Sequence, residues 1–185
     1  MNMLTHAHIA NRVYKRLKAE LGVNLSRKDL VWGSVRPDLI KKSIPHFKNQ
    51  GMKGFYQKGE RFLKYISYYD IDYFSRELGE VFHYLCDYFC YAHNSPDLIG
   101  ESWKHFKYES KLHKKVLSLE DNFYNNIKVI DLNQLSYIEL IENKHQEFIA
   151  NPPSFENDLI SSFEICAIVG KKFIKVYDPA FSLIS

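Results

Sequence analysis

No stretch of the sequence stays apolar for the roughly 18 residues that a helix needs to cross a bilayer, which excludes a transmembrane helix on sequence grounds. The first seventeen residues, MNMLTHAHIANRVYKRL, lack the basic start, apolar centre and small-residue cleavage site of a signal peptide, so a cytoplasmic location is expected. Cysteine is scarce and odd in number: Cys86, Cys90 and Cys166. The first two stand one helical turn apart among apolar neighbours, and reduced core thiols are expected. There is no block of like charge. The net charge is +3 with histidine neutral, and the scattered basic residues do not by themselves point to nucleic acid or an anionic membrane. Internal repeats, low-complexity segments and hairpin signals are also missing.

What is present is a globular balance of 45% hydrophobic and 25% charged residues over 185 positions, with 15% aromatic residues that promise a ring-rich core. That length fits a single domain spanning residues 1–185. Helical periodicity runs through it and predicts an all-α fold. A first helix over residues 5–22 is expected from the stripe Ile9, Val13, Leu17 and Leu21, with Thr5 as its cap and Gly22 as its stop. Ser26 can cap a short helix through Leu30 and Trp32. Beyond it GSVRPDLIKKSIPHFKNQGMKG, dense in Gly, Pro and Ser, reads mainly as loop and holds Asp38 and His46. Further helices are expected over residues 57–69, 72–92, 100–119, 132–150 and 155–176.

The segment VFHYLCDYFCYAH, residues 81–93, poses the chemical question, because it sets His83, Asp87 and His93 among apolar and aromatic residues. Residues four apart share a helix face, so His83 and Asp87 point the same way, as do His105 and Glu109 in HFKYE. A buried carboxylate without a partner costs several kcal/mol, and either a metal ion or a salt bridge would resolve that. Imidazole nitrogen and carboxylate oxygen are customary zinc ligands. The candidate set is His6, Asp38, His46, His83, Asp87, His93, His105 and Glu109. His8, His113 and His145 sit among polar neighbours and read as solvated.

Five ordered blocks resemble the zinc-dependent phospholipase C family, which is related in fold to the S1/P1 nucleases. THAHIA carries His6, GSVRPDL carries Asp38, PHF carries His46, HYLCDYFCYAHN carries His83, Asp87 and His93, and HFKYE carries His105 and Glu109. The resemblance implies a multi-helix bundle of the phospholipase C/P1 nuclease type binding two or three zinc ions. It implies that Asp38, His46, His83 and Asp87 hold one ion and that His93, His105 and Glu109 hold a second. Asp87 would also bridge toward a third ion that His6 helps bind. In the family an amino-terminal Trp supplies its free amino group to that third site. Here the first Trp is Trp32, and the Met1 amino group or His8 would have to substitute. The family's C-terminal membrane-binding domain and signal peptide have no counterpart, the segment between His46 and His83 is short, and access to extracellular phospholipid is not expected.

The activity implied is hydrolysis of a phosphodiester, either a small molecule or a phospholipid. A zinc-bound hydroxide would attack phosphorus in line, with Asp38 as ligand or general base. A nuclease or other phosphodiesterase is the alternative within the resemblance, and nucleic acid is a substrate only there. A metal-binding relative without turnover is a second alternative. A ferritin-like di-iron bundle would use the Glu80/His83 and Glu142/His145 steps. An HD-type phosphohydrolase is set aside because no His-Asp pair is adjacent.

Overall fold

The computed structural model describes residues 1–40, 50–99, 101–120, 122–130 and 135–178. Among them every regular element is helical: α1 (Met3–Leu21), α2 (Arg27–Leu39), α3 (Gln50–Tyr65), α4 (Ile71–Tyr88), α5 (Tyr91–Asn94), α6 (Ser102–Ser118), α7 (Tyr137–Ala150) and α8 (Phe155–Tyr177), with short 3₁₀ turns at Ile66–Tyr68 and Phe123–Asn126. The all-α expectation holds.

α1 buries the expected stripe, Ile9, Val13, Leu17 and Leu21, and the same face carries His6 inward. Its cap is Asn2 rather than Thr5: the Asn2 side chain accepts from the Thr5 N–H, and Thr5 is itself buried. Gly22 ends the helix at φ 66°, the left-handed conformation expected of a glycine stop. Ser26 caps α2 as expected. α8 is the apolar spine, fully buried from Ile165 to Gly170, and packs on α1, α4 and α7.

Several boundaries differ from expectation. Residues 33–39, read as loop, are the second half of α2, so Asp38 sits on a helix. Gly33 is there for contact, not for a turn. A Cβ on Gly33 would lie 2.0 Å from the Arg76 carbonyl oxygen, and one on Gly79 would lie 2.1 Å from that of Leu30, so α2 and α4 meet backbone to backbone. α3 likewise begins at Gln50, seven residues before the expected start.

A further difference is a break between α4 and α5 where one helix was expected over residues 72–92. Cys90 is extended (φ −120°, ψ 127°). The ends freed by the break are satisfied from elsewhere: Asn94 Nδ2 donates to the carbonyls of Tyr88 (2.8 Å) and Cys90 (2.9 Å), and Ser162 Oγ donates to that of Phe89. The Tyr91 N–H donates to the carboxylate of Asp158, which is wholly buried on α8. The three cysteines are buried free thiols, with Cys86 and Cys166 Sγ 3.8 Å apart.

Candidate metal centre

Four helices bring their ligand-type side chains to one place. α1 contributes His6, α4 contributes His83 and Asp87 from its all-round buried second half, α5 contributes His93, and α6 contributes His105 and Glu109. They form two groups, His6/His83/Asp87 and His93/His105/Glu109, each with its ligand atoms within 4.8 Å of one another. Asp87 lies between them. Its Oδ1 is 3.2 Å from His6 Nε2 and 3.4 Å from His93 Nε2, while Oδ2 is 3.4 Å from His83 Nε2. In the second group Glu109 Oε1 is 3.3 Å from His93 Nε2 and 2.9 Å from His105 Nε2. Asp38 Oδ1 stands 3.8 Å from His83 Nε2, at the partly exposed edge.

The amino group of Met1 enters the same cluster. It contacts the Asp87 carboxylate and lies 3.1 Å from Glu109 Oε1 and 2.9 Å from His93 Nε2. Of the two substitutes named for the third position, this is the one at the centre; His8 lies beside Arg12 and Tyr124. Burial opposes the charge on the Met1 amine, but Asp87, Cys90 and Glu109 raise its pKa to about 12. His6 is pushed to about 9, because Asp87 outweighs its burial. Asp87 is held well below the usual carboxylate range: burial alone would raise it, and His93, the Met1 ammonium, His6 and His83 together overcome that. Glu109 is depressed as well, since hydrogen bonds from His105 and His93 and the Met1 ammonium prevail over burial.

The donors suit zinc on three grounds. Ligand atoms about 2.1 Å from zinc at the corners of a tetrahedron stand about 3.4 Å apart, and the pairs around Asp87 and Glu109 match that spacing. His6 is completely buried, and its ring nitrogens meet no hydrogen-bond geometry among the described residues, with the Asp87 carboxylate 3.2 Å from Nε2. A buried imidazole held beside a carboxylate with no hydrogen bond is a costly arrangement that a metal ion between the two groups would relieve. Finally, His83 Nδ1 is 2.9 Å from the Ser34 carbonyl oxygen, which can only accept; the proton therefore sits on Nδ1, and the Nε2 lone pair turns toward Asp38 and Asp87, where a metal ion could take it.

Of the eight residues expected here, His6, His83, Asp87, His93, His105 and Glu109 come together, and Asp38 adjoins them. His46 lies outside the described residues. His145 corrects an expectation: it is buried rather than solvated, stacked on Tyr88 at 3.7 Å and 3.0 Å from Asn94 Oδ1 through Nε2. Asn94, Asp158 and Tyr108 also escaped sequence reasoning as supports. Asp158 accepts from Tyr108 on α6 (2.9 Å) and from Tyr91 on α5, tying together the helices that carry the second group. The di-iron alternative loses its carboxylates, because Glu80 pairs with Lys58 and Glu142 accepts from Tyr56 and Tyr88.

A helical domain that gathers two imidazole and carboxylate groups around one buried aspartate has the side chains of a metal-binding protein and the all-α architecture of the phospholipase C/P1 nuclease type. Residues 5–155 match the family described as zinc dependent phospholipase C, and the chain belongs to that family. No curated protein and no solved structure matches the chain.

Proposed function

We propose that the chain is a phospholipase C-type hydrolase that cleaves the phosphodiester of a phospholipid on the glycerol side, releasing a diacylglycerol and a phosphorylated headgroup. The observation that carries this reading is Asp87, one buried carboxylate within 3.4 Å of imidazoles from both groups. His6, His83 and Asp87, with Asp38 and His46, would hold one zinc, and His93, His105 and Glu109 a second.

Bound there, zinc supplies what the reaction needs, lowering the pKa of water from about 15.7 to near 7 and offsetting charge on the phosphoryl oxygens. The protein's own groups do the rest. Asp38, the most exposed carboxylate of the cluster, orients the attacking water and takes its proton through the carboxylate oxygen that the metal would leave open. The Ser34 carbonyl holds His83 in one tautomer, so the site is preorganised rather than assembled at each turnover. The Met1 ammonium balances Asp87 and Glu109, keeping both ionised.

The test is a hydrolysis screen on phosphatidylcholine, bis-p-nitrophenyl phosphate and single-stranded DNA, with zinc measured on the same preparation. Turnover of phosphatidylcholine that is abolished by chelation and by Asp38→Asn supports the reading. Turnover of DNA alone moves the chain to the nuclease branch, and zinc without any turnover makes it a non-catalytic member.

A further inference from the structure

The outer face of α6 does not fit a helix that meets only water. Trp103 is 71% exposed and Phe106 is 59% exposed, and the two rings stack at 6.2 Å. Leu117, equally exposed, lies on the same face, because positions 103, 106, 110 and 117 fall along one stripe of an α-helix. Beside that stripe run Lys104, Lys107, Lys111 and Lys114, all exposed. Lys107, Lys111 and Lys114 have no ion-pair partner among the described residues. The one acidic residue of α6, Glu109, turns inward to the metal centre with His105.

We propose that this face is a membrane-docking surface for a bilayer containing anionic phospholipid. The inference rests on the phospholipase reading of the site. Trp and Phe beside a row of lysines is the pattern of a helix lying in the headgroup region, rings inserted and ammonium groups on the phosphates. Position supports it, since the helix that presents the rings outward presents His105 and Glu109 inward. A docked bilayer would therefore lie one helix diameter from the metal centre. The start of α1 is tied to α6 by Asn2 Nδ2 to the Glu109 carbonyl and by Thr5 Oγ1 to His113 Nδ1, and it leaves Met3 and Leu4 exposed there as further apolar surface. A second copy of the chain is a poor occupant, because a symmetric contact across this face would set one lysine row against the other.

The experiment is co-sedimentation of the full chain with vesicles of about two parts phosphatidylcholine to one part phosphatidylserine, compared with phosphatidylcholine alone. Wild type sediments with the mixed vesicles, and in a Trp32→Phe background the remaining emission, from Trp103, shifts to the blue. Trp103→Ala with Phe106→Ala lowers partitioning at least tenfold. Lys107→Glu, Lys111→Glu and Lys114→Glu together lower it roughly a hundredfold on anionic vesicles, at about fivefold per lysine. All variants keep the wild-type circular dichroism spectrum and zinc content, so a loss reports on the surface and not on folding. Undiminished binding by the ring variant overturns the proposal, as does wild type that ignores both vesicles. A wild-type dimer that the ring variant converts to monomer also overturns it. Binding is read without turnover: an inert protein that docks contradicts the phospholipase reading alone, and an active one that does not dock contradicts this surface alone.

Discussion

Asp87 Oδ1 lies 3.4 Å from His93 Nε2, although α4, the helix that carries Asp87, ends one residue later at Tyr88. In an unbroken helix the six-residue step between them would carry His93 about 9 Å along the axis and roughly a third of a turn away from the Asp87 face. The break at Cys90 returns the imidazole to the carboxylate, and the two candidate ligand groups meet because of it.

Asn94→Ala tests that break. It removes both donors to the Tyr88 and Cys90 carbonyls and should cost about 2 kcal/mol, read by urea denaturation. Zinc titration of the same variant should show weakened binding at the His93/His105/Glu109 group, with the His83 group less affected.

Asp87→Asn removes the charge that faces His6, His83, His93 and the Met1 ammonium. Leaving buried cationic groups unpaired should lower stability by about 3 to 5 kcal/mol, and metal analysis should show zinc lost with it. A variant that keeps its full zinc content would remove Asp87 from the ligand set.

Gly79→Ala should force α2 and α4 apart, because the new methyl would lie 2.1 Å from the Leu30 carbonyl oxygen. A loss of about 3 kcal/mol in thermal unfolding is expected. Gly22→Ala, strained only by its positive φ with open space around it, should cost about 1 kcal/mol. The contrast separates close packing from turn geometry.

Asp158 gives stability a pH dependence of known sign. Burial raises its carboxyl to about 7, against the pull of Tyr108, the Tyr91 N–H, Cys90 and the Met1 ammonium. The unfolded value is about 3.9, so the folded state binds the proton more tightly. The contribution is complete below about pH 4, fades as pH rises toward 7 and is lost above it, a change on the order of 4 kcal/mol. Denaturation of wild type and Asp158→Asn in parallel should show their difference shifting toward the variant across that window.

The helices and most of the site were legible because their signals are local. Ile9, Val13, Leu17 and Leu21 mark a face by spacing alone, and so do His83 with Asp87 and His105 with Glu109. What escaped depends on tertiary partners. Gly33 and Pro37 look like loop residues until α4 is seen to need Gly33's missing side chain. The break at Cys90 contains neither glycine nor proline and is held open by Asn94 and by Ser162 and Asp158 on α8, which are 73 and 67 residues from the groups they bond. The lysines of α6 look scattered in a chain of mild charge, and only the helix sets them in one row.

The most direct measurement is anomalous diffraction at the zinc edge from crystals of the purified chain. Peaks within about 2.1 Å of the ligand atoms of both groups, one at His6/His83/Asp87 and one at His93/His105/Glu109, are the expected result. A zinc-saturated crystal with no peak at either group would contradict the assignment of these residues as a metal centre.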